Sequence, residues 1–187
     1  CSFYNRDGEP FESSPEYILR KAHKVFQETT GLQMETMGEL EYYIIAEDEE
    51  AYSVPDQKGY HESRPFNKFT DYRVEAMQLI AQAGGMIKYG HSEVGNFTLD
   101  GKIYEQNEIE FLPTNIEDAA DQLVIAKWIM RQLAYEYGVT LTFAPKITVG
   151  KAGSGMHVHC KFTKDGKSVM IENGELTDIC KKAIAGY

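Results

Sequence analysis

The chain has 187 residues, with 19 basic against 29 acidic side chains and a formal net charge of −10. A chain of this length buries a sizeable core without disulfides, and its composition, 42% hydrophobic and 26% charged, excludes disordered and collagen-like folds. The acid excess argues against nucleic acid as a partner and leaves carboxylates to serve either solubility or a metal.

In chain order, Ser13-Ser14-Pro15-Glu16 offers an N-cap serine, an early-turn proline and a glutamate three residues after Ser13. The apolar spacing that follows predicts a helix ending near Gly31. A pattern rich in β-branched and aromatic residues runs over 32–46, with a strand core expected over roughly 38–46; a long loop over 47–69 follows, of the kind that is often functional inside a compact domain. Helical spacing returns over 70–83 and stops at Gly84-Gly85. Extended runs at 86–98 and 103–112 flank Asp100-Gly101, a strong two-residue hairpin signal. The longest helix is expected from Asn115 or Glu117 to about Tyr137, well buried because its apolar residues fall on more than one face. Strands at 139–144 and 156–163, a glycine-bearing loop at 148–155 and a helix from about 174 follow. This order of helices and hairpin strands suggests an α+β fold with a largely antiparallel sheet.

Cys1, Cys160 and Cys180 form no close-spaced pair and leave one thiol over, which reads as a reducing, cytoplasmic compartment. The most apolar stretch, 123–133, is broken by Lys127 and Arg131 and is too short to span a membrane. The chain opens on Cys1 and stops inside a helical pattern, so a piece of a longer protein is expected.

Several acids stand where a fold alone would not favour them. Glu39-Leu40-Glu41 lies in an expected strand, where a period of two puts both carboxylates on one face with Cβ atoms about 6–7 Å apart. With Asp100-Gly101 as the turn, a regular hairpin sets Glu93 directly opposite Glu108. Like charges so placed repel, whereas a divalent cation turns the repulsion into coordination, and carboxylate oxygens suit Mg²⁺ and Mn²⁺. The alternatives are a surface hairpin whose acids splay apart, or a register other than the one assumed. In Gly153-Ser154-Gly155-Met156-His157-Val158-His159 the glycines permit close approach of a ligand to the backbone, and the two histidines share one strand face. A zinc site would need a further nitrogen or sulfur ligand, and Cys160 projects to the other face.

Taken together these segments resemble the catalytic domain of the glutamine synthetase family. Gly38-Glu39-Leu40-Glu41-Tyr42-Tyr43 is similar to its E-x-E-F strand, His91-Ser92-Glu93-Val94-Gly95 to its H-H-E-V segment, and Gln106-Asn107-Glu108-Ile109 to its Q-N-E segment. Thr142-Phe143-Ala144-Pro145-Lys146 and the run from Gly153 to His159 resemble its F-M-P-K-P and N-G-S-G-M-H-x-H signatures. The resemblance implies ATP-driven amide formation, in which glutamate is phosphorylated on its γ-carboxylate and ammonia displaces the phosphate, with two Mg²⁺ or Mn²⁺ ions per site. By match to the motifs, Glu41, Glu93 and Glu108 would hold the first metal, and Glu39 and His157 the second. Ala152 and Gly153 would lie at the amino-acid substrate; Lys88, His159, Cys160 and Lys161 would lie along the nucleotide.

The sequence departs from the family's pattern at several positions. Ala152 replaces an asparagine, Lys161 stands where serine is usual, Lys88 where an acid is common, and the interval from Glu93 to Glu108 is longer than usual. The resemblance implies that residues 1–187 form a partial catalytic domain, without the small N-terminal sheet domain and the C-terminal arginines and glutamate. Such a piece is expected to be inactive alone, and the full-length protein to assemble as stacked rings. A ligase joining glutamate to an organic amine of the polyamine type, and a non-catalytic structural relative, are the alternative readings.

Overall fold

The computed structural model describes residues 2–49 and 51–187. Its elements are α1 (Pro15–Thr30), β1 (Gln33–Glu47), α2 (Thr70–Gln82), β2 (Ile87–Leu99), β3 (Lys102–Phe111), β4 (Thr114–Asn115) and α3 (Ile116–Glu136). These are followed by β5 (Thr140–Thr142), β6 (Met156–Lys164), β7 (Lys167–Ser168), β8 (Ile171–Glu172), β9 (Glu175–Leu176) and α4 (Asp178–Gly186). The fold is α+β, and the strand pairs with a defined register are all antiparallel. Strand order in the main sheet is β2-β3-β1-β6-β7, with β4 and β5 also on β1 and with β8-β9 as a separate hairpin. Among the described residues, no helix is long and apolar enough to cross a membrane.

The chain divides into two compact units. The larger, Met37–Pro113 with Asp121–Val158, holds the main core. There Leu40, Tyr42 and Ile44 of β1 and Ile109 and Phe111 of β3 pack with Tyr72, Ala76 and Ile80 of α2 and with Ala126, Met130 and Leu133 of α3. The smaller unit comprises residues up to Thr36, Thr114–Ala120 and His159–Tyr187. In it β4 pairs with the start of β1 through Glu35↔Asn115 and Thr36↔Thr114, and β7 pairs with the end of β6.

Several expectations shift. The N-cap of α1 is Ser14, whose hydroxyl accepts from the Tyr17 amide, rather than Ser13. β1 extends beyond the core expected over 38–46 to begin at Gln33, near the start of the β-rich pattern, and the pairing with β4, remote in sequence, defines that extension. α3 is not buried all round: Ala126, Met130 and Leu133 are in the core, whereas Val124, Trp128 and Tyr135 are exposed. α4 starts at Asp178, because the stretch before it forms the β8-β9 hairpin and Thr177 caps the helix by accepting from the Cys180 amide.

The hairpin of β2 and β3 positions the candidate site. Asp100 and Gly101 both have positive φ, 51° and 75°, the conformation a tight two-residue turn requires. The register expected from that turn holds from Leu99↔Lys102 to Asn96↔Glu105 and then breaks. On its far side Ser92 pairs with Asn107 and His91 with Glu108, so residues 93–95 form a bulge opposite Gln106. The direct pairing of Glu93 with Glu108 is therefore incorrect; the bulge carries Glu93 out of the ladder.

Two contacts define the bulge. The long loop lies along it, with Gln57 N, Gly59 N and His61 N donating to the carbonyls of Asn96, Val94 and Ser92 at 2.9, 3.3 and 3.0 Å. Inside it, Gly95 N donates to Gln106 Oε1 at 3.0 Å. A Cβ on Gly95 would stand 1.9 Å from Tyr43 Oη and 2.5 Å from Gln106 Oε1, so no larger residue fits without displacing both. Gly95→Ala is expected to cost about 1–3 kcal/mol through overpacking. Urea unfolding checks this: the midpoint should fall with the slope unchanged, and a wild-type midpoint would show that the bulge is not packed as described.

Candidate metal centre

β1 and β3 pair with Glu41 against Glu108 and Glu39 against Glu110. On the other side of β3, His91 pairs with Glu108 and Tyr89 with Glu110. The period of two along each strand then gathers four carboxylates and an imidazole on one sheet face, while Leu40 and Ile109 between them point into the core. Glu93 joins from the bulge. Two groups of possible ligand atoms result, each with its members within 4.8 Å of one another: His91, Glu93 and Glu108, and Glu39, Glu108 and Glu110.

Glu108 belongs to both groups. It is 5% exposed, and among the described residues no hydrogen-bond donor meets its carboxylate. Burial, and then the charges of Glu93, Glu39, Glu41 and Glu110, push its pKa up to about 8. Glu110 behaves oppositely. Burial pushes it up, but hydrogen bonds from Lys88 and Tyr89, with the charges of Lys88 and His91, outweigh that and hold it below the usual range.

The other expected residues are placed as follows. Glu41 Oε2 accepts from Gln106 Nε2 at 3.0 Å and from Gly155 N at 2.9 Å, and Glu41 is in neither three-residue group. His157 Nδ1 lies 3.0 Å from Glu39 Oε2 and 3.9 Å from Glu41 Oε1, which brings the second expected ligand pair together. Ala152 N donates to Gln57 Oε1 at 2.7 Å, and its carbonyl accepts from Tyr43 Oη at 2.8 Å. The Gly153 carbonyl accepts from Gln106 Nε2 at 2.8 Å, so Gln106 ties the glycine-rich turn to Glu41. Lys88 Nζ is 2.8 Å from Glu110 Oε2. His159, Cys160 and Lys161 belong to the smaller unit, where Lys161 Nζ pairs with Glu35 at 2.7 Å.

Two members of the face were missed as site residues. Glu110 repeats, in Glu108-Ile109-Glu110, the same two-residue period that singled out Glu39 and Glu41. His91 stands two residues before Glu93 and therefore shared its expected face. Its ring is stacked between others, 4.4 Å from His61 at 11° and 5.5 Å from Tyr89 at 28°. The His61 contact carried no sequence signal, because it depends on the loop being laid along the bulge.

The donor set, carboxylate oxygens with imidazole nitrogens and a buried carboxyl lacking a partner, fits a hard or borderline divalent cation.

The family model for the glutamine synthetase catalytic domain matches residues 12–187. Glutamine synthetase of Methanosarcina mazei is 30% identical over 184 residues, covering 97% of this chain and 39% of that protein. That of Methanococcus voltae is 30% identical over 189 residues, covering 100% of this chain and 41% of that protein. The chain thus spans about two fifths of the length of the curated relatives it matches. The fold is also that of a Plasmodium falciparum glutamine synthetase structure, with a TM-score of 0.86 at 19% identity over 100% of this chain and 42% of that one. With the motifs in order and the family model covering nearly all of its length, the chain belongs to the glutamine synthetase family and carries part of the catalytic domain.

Proposed function

We propose that the protein containing this chain is a glutamate–ammonia ligase that forms glutamine at the expense of ATP through a γ-glutamyl phosphate, with Mg²⁺ or Mn²⁺ as cofactor. The observation that carries this reading is the carboxylate face, and within it the buried, unpartnered Glu108. Transfer of a phosphoryl group to a carboxylate gathers negative charge, so the protein's work is positioning and charge neutralisation. Bound divalent ions would supply that neutralisation and align the reacting oxygens.

The residues of this chain prepare the site. Glu93, Glu108 and His91 would hold one ion, with Glu41 beside them; Glu39 and His157 would hold the other. Gln106 fixes the Glu41 carboxylate and the Gly153 carbonyl together, and thereby sets the glycine-rich turn against the metal face. Ammonia and organic amines are both cationic when protonated, so the charge of the face alone does not choose between them as acceptors. Ala152 places no side-chain amide at the turn, which favours a second reading in which an organic amine is the acceptor. Comparing ammonia with polyamines as acceptors for the full-length protein separates the two. The stacked-ring assembly and cytoplasmic location expected for the family belong to this proposal as well.

In the full-length protein, Glu93→Gln should lower kcat/KM for labelled glutamine formation by about two orders of magnitude or more. Wild-type turnover in that variant would remove the bulge carboxylate from the mechanism. The isolated 187-residue chain is expected to bind metal without turnover, and glutamine production in a coupled assay would contradict that.

Glu108 also links the site to stability. Its folded-state pKa of about 8 lies above the ordinary 4.5. In the metal-free chain its contribution to stability is therefore full below about 4.5 and is lost as pH rises towards about 8. With chelator present, Glu108→Gln should melt several degrees above wild type near pH 9, and the gap should close as pH falls towards about 4.5. With Mn²⁺ in excess the order at high pH should reverse, because only wild type gains the full binding energy. A melting difference that does not change with pH would contradict the placement of Glu108 among the other acids.

A further inference from the structure

Lys88 occupies an unusual place on the carboxylate face. Between Ile87 and Tyr89 the pairing of β2 with β3 shifts register, so Lys88 sits at an irregularity of the ladder. Its ammonium lies 2.8 Å from Glu110 Oε2 and 5.1 Å from the centre of the Tyr89 ring. Glu110 itself is 5% exposed and its other oxygen is 3.9 Å from His91 Nε2. The Glu39–Glu108–Glu110 group thus already has a cation at one corner, whereas the His91–Glu93–Glu108 group has no lysine or arginine paired to it among the described residues.

The shared member Glu108 points to a ligand, because it is nine-tenths buried and no donor among the described residues meets it. Both groups have the compactness a single ion requires. What distinguishes them is Lys88. A divalent ion entering the Glu39–Glu108–Glu110 group would have to displace a short charge-assisted hydrogen bond and sit close to an ammonium, two opposing effects that the other group does not present.

We propose that Lys88 acts as a built-in cation for this face. Its ammonium holds Glu110 and keeps a divalent ion out of the Glu39–Glu108–Glu110 group, so that the first ion is directed to His91, Glu93 and Glu108. Lys88 is thus a positioning residue that sets how many divalent ions the face takes and where. This inference rests on the metal reading under Proposed function.

Mn²⁺ titration of the 187-residue chain, followed by calorimetry and magnetic resonance, tests it. The Lys88→Met chain should bind one more Mn²⁺ than wild type. Lys88→Arg, which keeps the charge, should match wild type, and the double variant Lys88→Met/Glu110→Gln should lose the extra ion. Lys88 is 41% exposed, and Lys88→Gln makes the same comparison should the methionine variant fail to fold. Equal stoichiometry in wild type and in the charge-removed variants would overturn the proposal, as would an extra ion that persists without Glu110. If wild type itself binds no Mn²⁺, the metal reading fails and the role of Lys88 falls with it, an outcome distinct from equal binding in both chains.

Discussion

Electrostatic repulsion within one sheet face is the constraint on which the site depends. Two carboxylates about 4–5 Å apart repel by roughly 3–4 kcal/mol at an effective dielectric of 20. Several such pairs together approach the whole stability of an ordinary domain, about 5–15 kcal/mol. The face formed by Glu39, Glu41, Glu93, Glu108 and Glu110 is therefore compatible with folding only if positive charge or a proton enters it. Without metal, Lys88 beside Glu110 and a proton on Glu108 serve that purpose. A divalent ion among Glu108, Glu93 and His91 would do so more completely and with chemistry to offer.

β3 shows that this arrangement is not simply tolerance of buried acids. Glu105, on the core side of the same strand, is as buried as Glu108, yet it is fully provided for. Asn67 Nδ2, Lys68 N and Phe69 N donate to its carboxylate at 2.7, 2.7 and 3.2 Å, and Asn107 Nδ2 at 3.1 Å. Burial raises its pKa, and the hydrogen bonds from Asn107, Lys68 and Phe69, with the charge of Arg73, work against the rise. Glu105 thereby anchors the end of the long loop whose middle lies along the β2 bulge. The same loop stacks His61 on His91 and joins Gln57 to Ala152. One buried acid is satisfied and braces the scaffold; the other, three residues on, has no such donors among the described residues.

Local chemistry made much of this legible. Asp100-Gly101 marked the hairpin because few other pairs accept positive φ at both positions. The period of two places Glu39 and Glu41 together, and the same period in Glu108-Ile109-Glu110 places Glu110 beside Glu108. The β2 bulge was not legible, because it is held by amides some 35 residues earlier and by Gln106 across the hairpin. Glu93 still reaches Glu108, but from a bulge rather than from the opposed position a regular ladder implies. The extra length of β1 and the exposure of Trp128 likewise depend on what packs beside them, which periodicity within a segment does not encode.

On the reading proposed above, the acids of this face converge because they hold a divalent ion. Crystals of the chain soaked in Mn²⁺ and measured at the manganese absorption edge test it most directly. An anomalous peak is expected about 2.0–2.6 Å from carboxylate oxygens of both Glu93 and Glu108 and beside His91. A fully soaked crystal with no peak on this face, or with manganese only at surface acids elsewhere, would contradict it.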